Sequence, residues 1–115
     1  MKEYLLLFRG GDSAAQQSPE GFQQHMQRWM AWMGELSSKG KFVGAQPLTN
    51  TGRQLKGTGR LLSDGPFMEG KEMVGGYLIC KAADYNEAVE LSKDCPVLEF
   101  SDGIVEIREI QELNM

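Results

Sequence analysis

Two short stretches, Tyr4-Leu5-Leu6-Leu7-Phe8 and Tyr77-Leu78-Ile79-Cys80, are apolar at every position. A strand with one face in water alternates apolar and polar residues, so an unbroken apolar run of this length has both faces covered. Any sheet that holds these two strands must therefore be shielded on both sides. In a chain of 115 residues, which suits one compact domain able to bury a core without a metal or disulfide staple, that demand is hard to meet from within. No internal repeat, low-complexity tract or interdomain linker divides the chain.

The first connection is polar, Asp12 to Ser18, after Gly10-Gly11 ends the strand. Ser18-Pro19-Glu20 then has the form of a helix start, with a hydroxyl as N-cap, proline at the first helical position and a carboxylate near the positive end of the dipole. The pattern predicts a helix to about Lys39, stopped at Gly40. At about 100° per residue, Phe22, Met26, Trp29, Met33 and Leu36 make one apolar stripe. Met30 lies on one flank, and His25 and Trp32 on the other. His25 is thus expected at the edge of the buried face, beside an indole.

Lys41 to Ala45 is a short second strand ended by Pro47. Leu48 to Gly59 is polar and glycine-bearing, Arg60-Leu61-Leu62 resumes as a strand, and Asp64-Gly65-Pro66 is a turn, so this region is a protruding loop or small hairpin. Val74 to Cys80 forms the third main strand. Asp84-Tyr85-Asn86-Glu87 has the form of a capping box; Ala88, Leu91 and Val89 supply the helix's apolar face, and Cys95-Pro96 stops it. A loop from Val97 to Gly103 leads to a last strand, Ile104 to Ile110, with Glu106 and Arg108 on one face. Strand, helix, strand, strand, helix, strand is the α+β ferredoxin-like plan, βαββαβ, an antiparallel sheet with two helices on one face. The other face stays open, yet the two apolar strands need it covered. A homodimer with facing sheets is the simplest solution.

The formal charge of −4 and the scattered Lys and Arg give no basic surplus for phosphates, which argues against nucleic acid and anionic membrane as partners. The apolar start is too short for a membrane span and lacks a small-residue cleavage pattern, so it is expected to be a strand in a cytoplasmic protein. Cys80 and Cys95 are the only cysteines, and in a reducing compartment they stay free thiols.

Asp64-Gly65-Pro66-Phe67, followed by Glu69, Lys71-Glu72 and Gly75-Gly76-Tyr77, resembles the signature of the YCII-related proteins, specifically their DGPF-type branch. Gly40 to Gly44, Asn86-Glu87-Ala88, Cys95-Pro96 and Val105 to Arg108 extend the likeness over most of the chain. The resemblance implies a ferredoxin-like subunit that pairs into a dimeric α+β barrel. It also implies occasional enzymatic roles through a His and Asp pair, and association of DGPF-type members with extracytoplasmic-function sigma factors. His25 matches that histidine in type only, and no Asp lies between His25 and Gly40.

Three groups of side chains carry the candidate chemistry. His25, the only histidine, is the one ordinary side chain that exchanges protons near neutrality, though a boundary histidine is also a common structural feature. Asp64 is either a rigidly held base or ligand acceptor, or the carboxylate that an Asp-Gly turn needs anyway. Glu69, Lys71 and Glu72 form a charged cluster that can hold a polar ligand or simply solvate a hairpin; Arg108 is a further ligand contact or half of an ion pair with Glu106. One His and two widely spaced Cys match no zinc pattern, and no phosphate-binding glycine motif or nucleophile elbow is present. The leading expectation is a small-molecule cleft between the Asp64 to Glu72 hairpin and the first helix, serving cofactor-free acid/base chemistry such as elimination or isomerisation. The competing one is a non-catalytic interaction module acting with a sigma factor.

Overall fold

The computed structural model describes residues 1–11, 18–65 and 73–113. Its elements are β1 (Lys2–Arg9), α1 (Pro19–Ser38), β2 (Phe42–Pro47), β3 (Gly52–Lys56), β4 (Leu61–Gly65), β5 (Val74–Ala82), α2 (Tyr85–Ser92), a 3-10 turn (Pro96–Glu99) and β6 (Ile104–Glu109). Four strands form an antiparallel sheet in the order β2-β5-β1-β6, while β3 and β4 form a separate hairpin. With the hairpin set aside, this is the ferredoxin-like βαββαβ arrangement, and it puts the two unbroken apolar strands, β1 and β5, at the centre.

Register assigns each side chain to a face. Leu6 sits opposite Leu78 and Ile107, and Tyr4 opposite Cys80, all on the face under the helices, where Tyr4, Leu6, Leu78 and Cys80 are fully buried. The alternate residues, Leu5 opposite Ile79 and Leu7 opposite Tyr77, look out from the other face and are half-buried. Both runs thus carry apolar side chains to both faces. The core lies between the sheet and the helices, where Trp32, Leu36, Ala88, Cys95 and Val97 join the strand residues.

Local sequence sets the helix ends. The Ser18 hydroxyl accepts from Gly21 N at 2.9 Å, with Pro19 next to it. At the other end Gly40, at φ 71°, lets Gly40 N donate to Ser37 O and Lys41 N to Leu36 O at 3.0 and 2.9 Å, the paired bonds of a Schellman stop. In α2 the Asp84 carboxylate accepts from Glu87 N at 2.9 Å. Glu87 reaches back past the cap to Ala83 N at 3.0 Å and meets Lys41 Nζ at 2.8 Å.

One feature of α1 departs from the periodicity. The helix is rotated so that His25, Trp32 and Leu36 are buried, with Trp29 and Met33 beside them, while Phe22, Met26 and Met30 face outward at 51, 42 and 63% exposure. The physical cause is the shape of the sheet beneath. Phe8 takes both indoles edge-on, Trp29 at 5.0 Å and Trp32 at 6.2 Å between ring centres, and Trp32 Nε1 donates to Leu91 O at 3.0 Å. Anchoring two large rings outweighs seating flexible thioethers, so the helix turns its indole side inward. His25, expected at the edge, goes in with it at 8% exposure.

Asp64 lies within β4, opposite Arg53 in β3, the turn expected at Asp64-Gly65-Pro66 runs outside the described residues, and the β3–β4 hairpin reverses through Gly57 to Arg60, with Arg60 N donating to Gly57 O at 3.1 Å. The stretch from Val97 to Gly103 is more than a loop, because Pro96–Glu99 winds into a 3-10 turn and buries Val97. The segment is tight. A Cβ on Gly103 would lie 1.8 Å from Val97 O, and one on Gly10, at φ +74°, 2.1 Å from Asp102 O.

Candidate functional site

An antiparallel sheet gathers alternate chain ends on one edge. The register pairs Arg9 with both Val74 and Ile104, and Pro47 with Gly76. The exit of β1, the exit of β2, the entry of β5 and the entry of β6 therefore meet at the same end of the sheet. Helix α1 starts there too, and the β3–β4 hairpin springs from it. This end carries the glycine-rich corner Gly10-Gly11, where Gly11 N donates to Asp102 Oδ1 at 3.2 Å.

His25 sits just inside this end. Trp29, one helical turn on, donates its Nε1–H to His25 Nε2 at 2.8 Å. Phe100 tilts against the imidazole at 5.2 Å between ring centres, and the Arg28–Glu99 ion pair at 2.8 Å ties α1 to the segment that carries Phe100. An indole nitrogen can only donate, so Nε2 is the acceptor nitrogen and the neutral ring carries its proton on Nδ1. The protein thus presents one histidine biased toward one tautomer, held by a four-residue spacing on a helix and flanked by Trp29 and Phe100.

Asp64 stands apart from this cluster among the described residues. Its carboxylate is 94% exposed and 3.8 Å from Arg53 Nε, on the arm of the hairpin. Arg108 lies on the opposite face of the sheet from His25, since its register partner is Leu5. There Glu106 accepts from Arg9 Nη1 at 2.7 Å and lies 3.7 Å from Arg108 Nη1, so Glu106 and Arg108 do form part of an ion-pair row along the open face. Glu69, Lys71 and Glu72 lie outside the described residues.

Further titratable groups sit elsewhere. At the far end of the sheet the Lys41 ammonium, followed by the Ala83 amide, holds the Glu87 carboxyl below the usual carboxylate range. Burial pushes the Cys80 thiol up, partly offset by Lys41, and raises Cys95 to about 12; both are free and buried. Tyr4 is raised chiefly by burial, and its hydroxyl has no hydrogen-bond partner among the described residues. No three His, Cys, Asp or Glu side chains gather as metal ligands among the described residues.

The family match agrees with this architecture. The YCII-related domain matches residues 3–114. This chain belongs to the YCII-related family. Among curated proteins there is no match. A solved structure similar to it is the 5-chloro-2-hydroxyhydroquinone dehydrochlorinase TftG from Burkholderia phenoliruptrix AC1100, in complex with 2,5-dihydroxybenzoquinone. It is 20% identical over 90% of each chain, with a TM-score of 0.46.

Sequence periodicity found His25 but not its setting. Trp29 as donor was available as a His and a Trp four residues apart on one helix face. Phe100 carried no such signal, because 75 residues separate it from His25 and only the fold brings them together. No described helix is long and apolar enough to cross a membrane.

Proposed function

We propose that this protein binds a small organic molecule at the His25 end of the sheet, between α1 and the hairpin, and processes it by proton transfer with its own side chains, as in an elimination or isomerisation. The observation that carries the reading is the His25–Trp29 hydrogen bond at 2.8 Å, inside an aromatic enclosure at the end where the connections gather. A structural histidine and a catalytic one can both hold a fixed tautomer. A catalytic one gains from it, because a preset proton position lowers the reorganisation needed at reaction.

In this reading the His25 imidazole is the proton-exchanging group beside the ligand, and the aromatic walls take the ligand's flat apolar part. With Nε2 committed to Trp29, abstraction of a proton falls to a carboxylate, for which Asp64 is the candidate. Glu69, Lys71 and Glu72 complete the ligand's polar contacts, and Arg108 serves the open face of the sheet. That face, with half-buried Leu5, Leu7, Tyr77 and Ile79, supports a two-fold homodimer as the working form.

The test is a thermal-shift screen of small hydroxylated and aromatic acids, phenols and quinones, repeated with His25→Gln and Asp64→Asn. A compound bound only to the folded protein raises its melting temperature by mass action. The expected result is a stabilising compound whose effect drops in both variants, followed by turnover measured on that compound class. Compounds that shift wild type and both variants equally, or a blank screen with all three proteins normally folded, would overturn it.

A further inference from the structure

The β3–β4 hairpin packs little against the other described elements. Every residue of β3 is exposed, and Leu55, Leu61 and Leu62 stand at 68, 71 and 61% exposure. Leu55 and Leu62 pair directly across the two strands, with Arg53 and Asp64 next along the same face, so these two leucines form one apolar spot, and Leu61 lies on the other face beside Lys56. An isolated two-stranded hairpin is at best marginally stable in water; it needs a surface to lie on. The radius of gyration, 15.8 Å, also exceeds the roughly 13 Å of a compact domain of this length.

We infer that this hairpin is an arm that docks on a second copy of the chain. The inference rests on the homodimer part of the functional reading and specifies how the dimer is clasped. Two features of the molecule favour a second copy over any other occupant. The first is charge: the arm, residues 52–65, carries Arg53, Lys56 and Arg60 against Asp64 alone, a net +2, so in a chain of net −4 the remainder carries −6. A basic arm on an acidic body is complementary to another copy of that body.

The second is that the same chain leaves another surface unfilled, the sheet face of Leu5, Leu7, Tyr77 and Ile79 with its Arg9–Glu106–Arg108 row. One two-fold pairing covers both sheet faces and both arms at once, and symmetry doubles each contact. Arg60 supports the assignment. It holds a left-handed φ of 49° at the arm's tip, a conformation cheaper for glycine or asparagine, so a long cationic side chain is kept there against local preference. Because Asp64 sits at the arm's base, docking also decides where that carboxylate stands relative to the site.

The experiment places the photo-reactive benzoylphenylalanine at position 62 in equal mixtures of ordinary and 15N-labelled full-length protein. Sedimentation equilibrium of wild type and of the double variant Leu55→Asp, Leu62→Asp runs alongside. Cross-links joining an ordinary peptide to a labelled one, with a dimer dissociation constant weakened at least tenfold in the double variant, are the expected result. Since Leu55 and Leu62 are largely exposed and lie outside the core, the double variant keeps the near-ultraviolet signature of Trp29 and Trp32. Cross-links within one isotope only would show the arm lying on its own chain. A dimer with no cross-link and an unchanged dissociation constant would show it free. Either result overturns the arm and leaves the homodimer standing, whereas wild type sedimenting as a 12.8 kDa species overturns both.

Discussion

Replacing Trp29 by Phe removes one hydrogen-bond donor and keeps most of a ring that packs edge-on against Phe8 at 5.0 Å. What changes is the proton position on His25. In wild type the Trp29 Nε1–H points at His25 Nε2 at 2.8 Å, so the tautomer with its proton on Nε2 would face one donor with another. A neutral hydrogen bond contributes a net of about 0.5–1.5 kcal/mol, which biases the ratio of the two tautomers by a factor of about 2 to 13 toward Nδ1–H. Trp29→Phe withdraws that bias, and the ratio relaxes by the same factor.

Long-range proton–nitrogen correlation spectra read the two tautomers directly from the imidazole nitrogens. Here the reading is free of overlap because the chain has a single histidine. The expected spectrum is Nδ1–H in wild type above neutral pH and a shifted population in Trp29→Phe, with the fold intact by circular dichroism. A wild-type spectrum dominated by Nε2–H, or identical spectra for the two proteins, would refute the geometry at the site. The role proposed for His25 would fall with it.

Two further outcomes follow from the packing. Because Lys41 and the Ala83 amide lower the Glu87 carboxyl, the pair stabilises the fold above the ordinary carboxylate value of about 4.3 and loses that contribution as pH falls through the lowered one. Melting temperature measured from pH 6 downward should fall less steeply in Glu87→Gln than in wild type, and parallel curves would contradict this. Gly103→Ala drives a Cβ into Val97 O, 1.8 Å away, where neither backbone can yield cheaply. Overpacking of this kind costs about 1–3 kcal/mol, or several degrees of melting temperature in a domain this size. An unchanged melting temperature would mean that the 97–103 segment is looser than its contacts indicate.

Much of the architecture was legible because the relevant physics is local. Ser18-Pro19 and Gly40 bounded α1 through unsatisfied amides and carbonyls that need partners at those positions. The apolar runs at β1 and β5 identified the central strands, since only a strand covered on both sides tolerates such a run. The DGPF-type motif pointed to the family before any fold was visible. The strand Gly52–Lys56 was not legible, because its polar, glycine-bearing sequence carries no strand pattern and only the ladder with Leu61–Gly65 makes it one.

What the sequence by itself determined, then, is the order of the four main strands and two helices, the caps of α1 and the start of α2, and the family. The rotation of α1 belonged to the tertiary structure alone, because it depends on how Phe8 receives two indoles and not on the hydrophobic stripe averaged along the helix. The same holds for the setting of His25, which depends on Phe100, a residue brought to it by the tight 97–103 segment across the sheet end. Periodicity reports which side of a helix is apolar; only packing against a particular surface decides which residues on that side are buried.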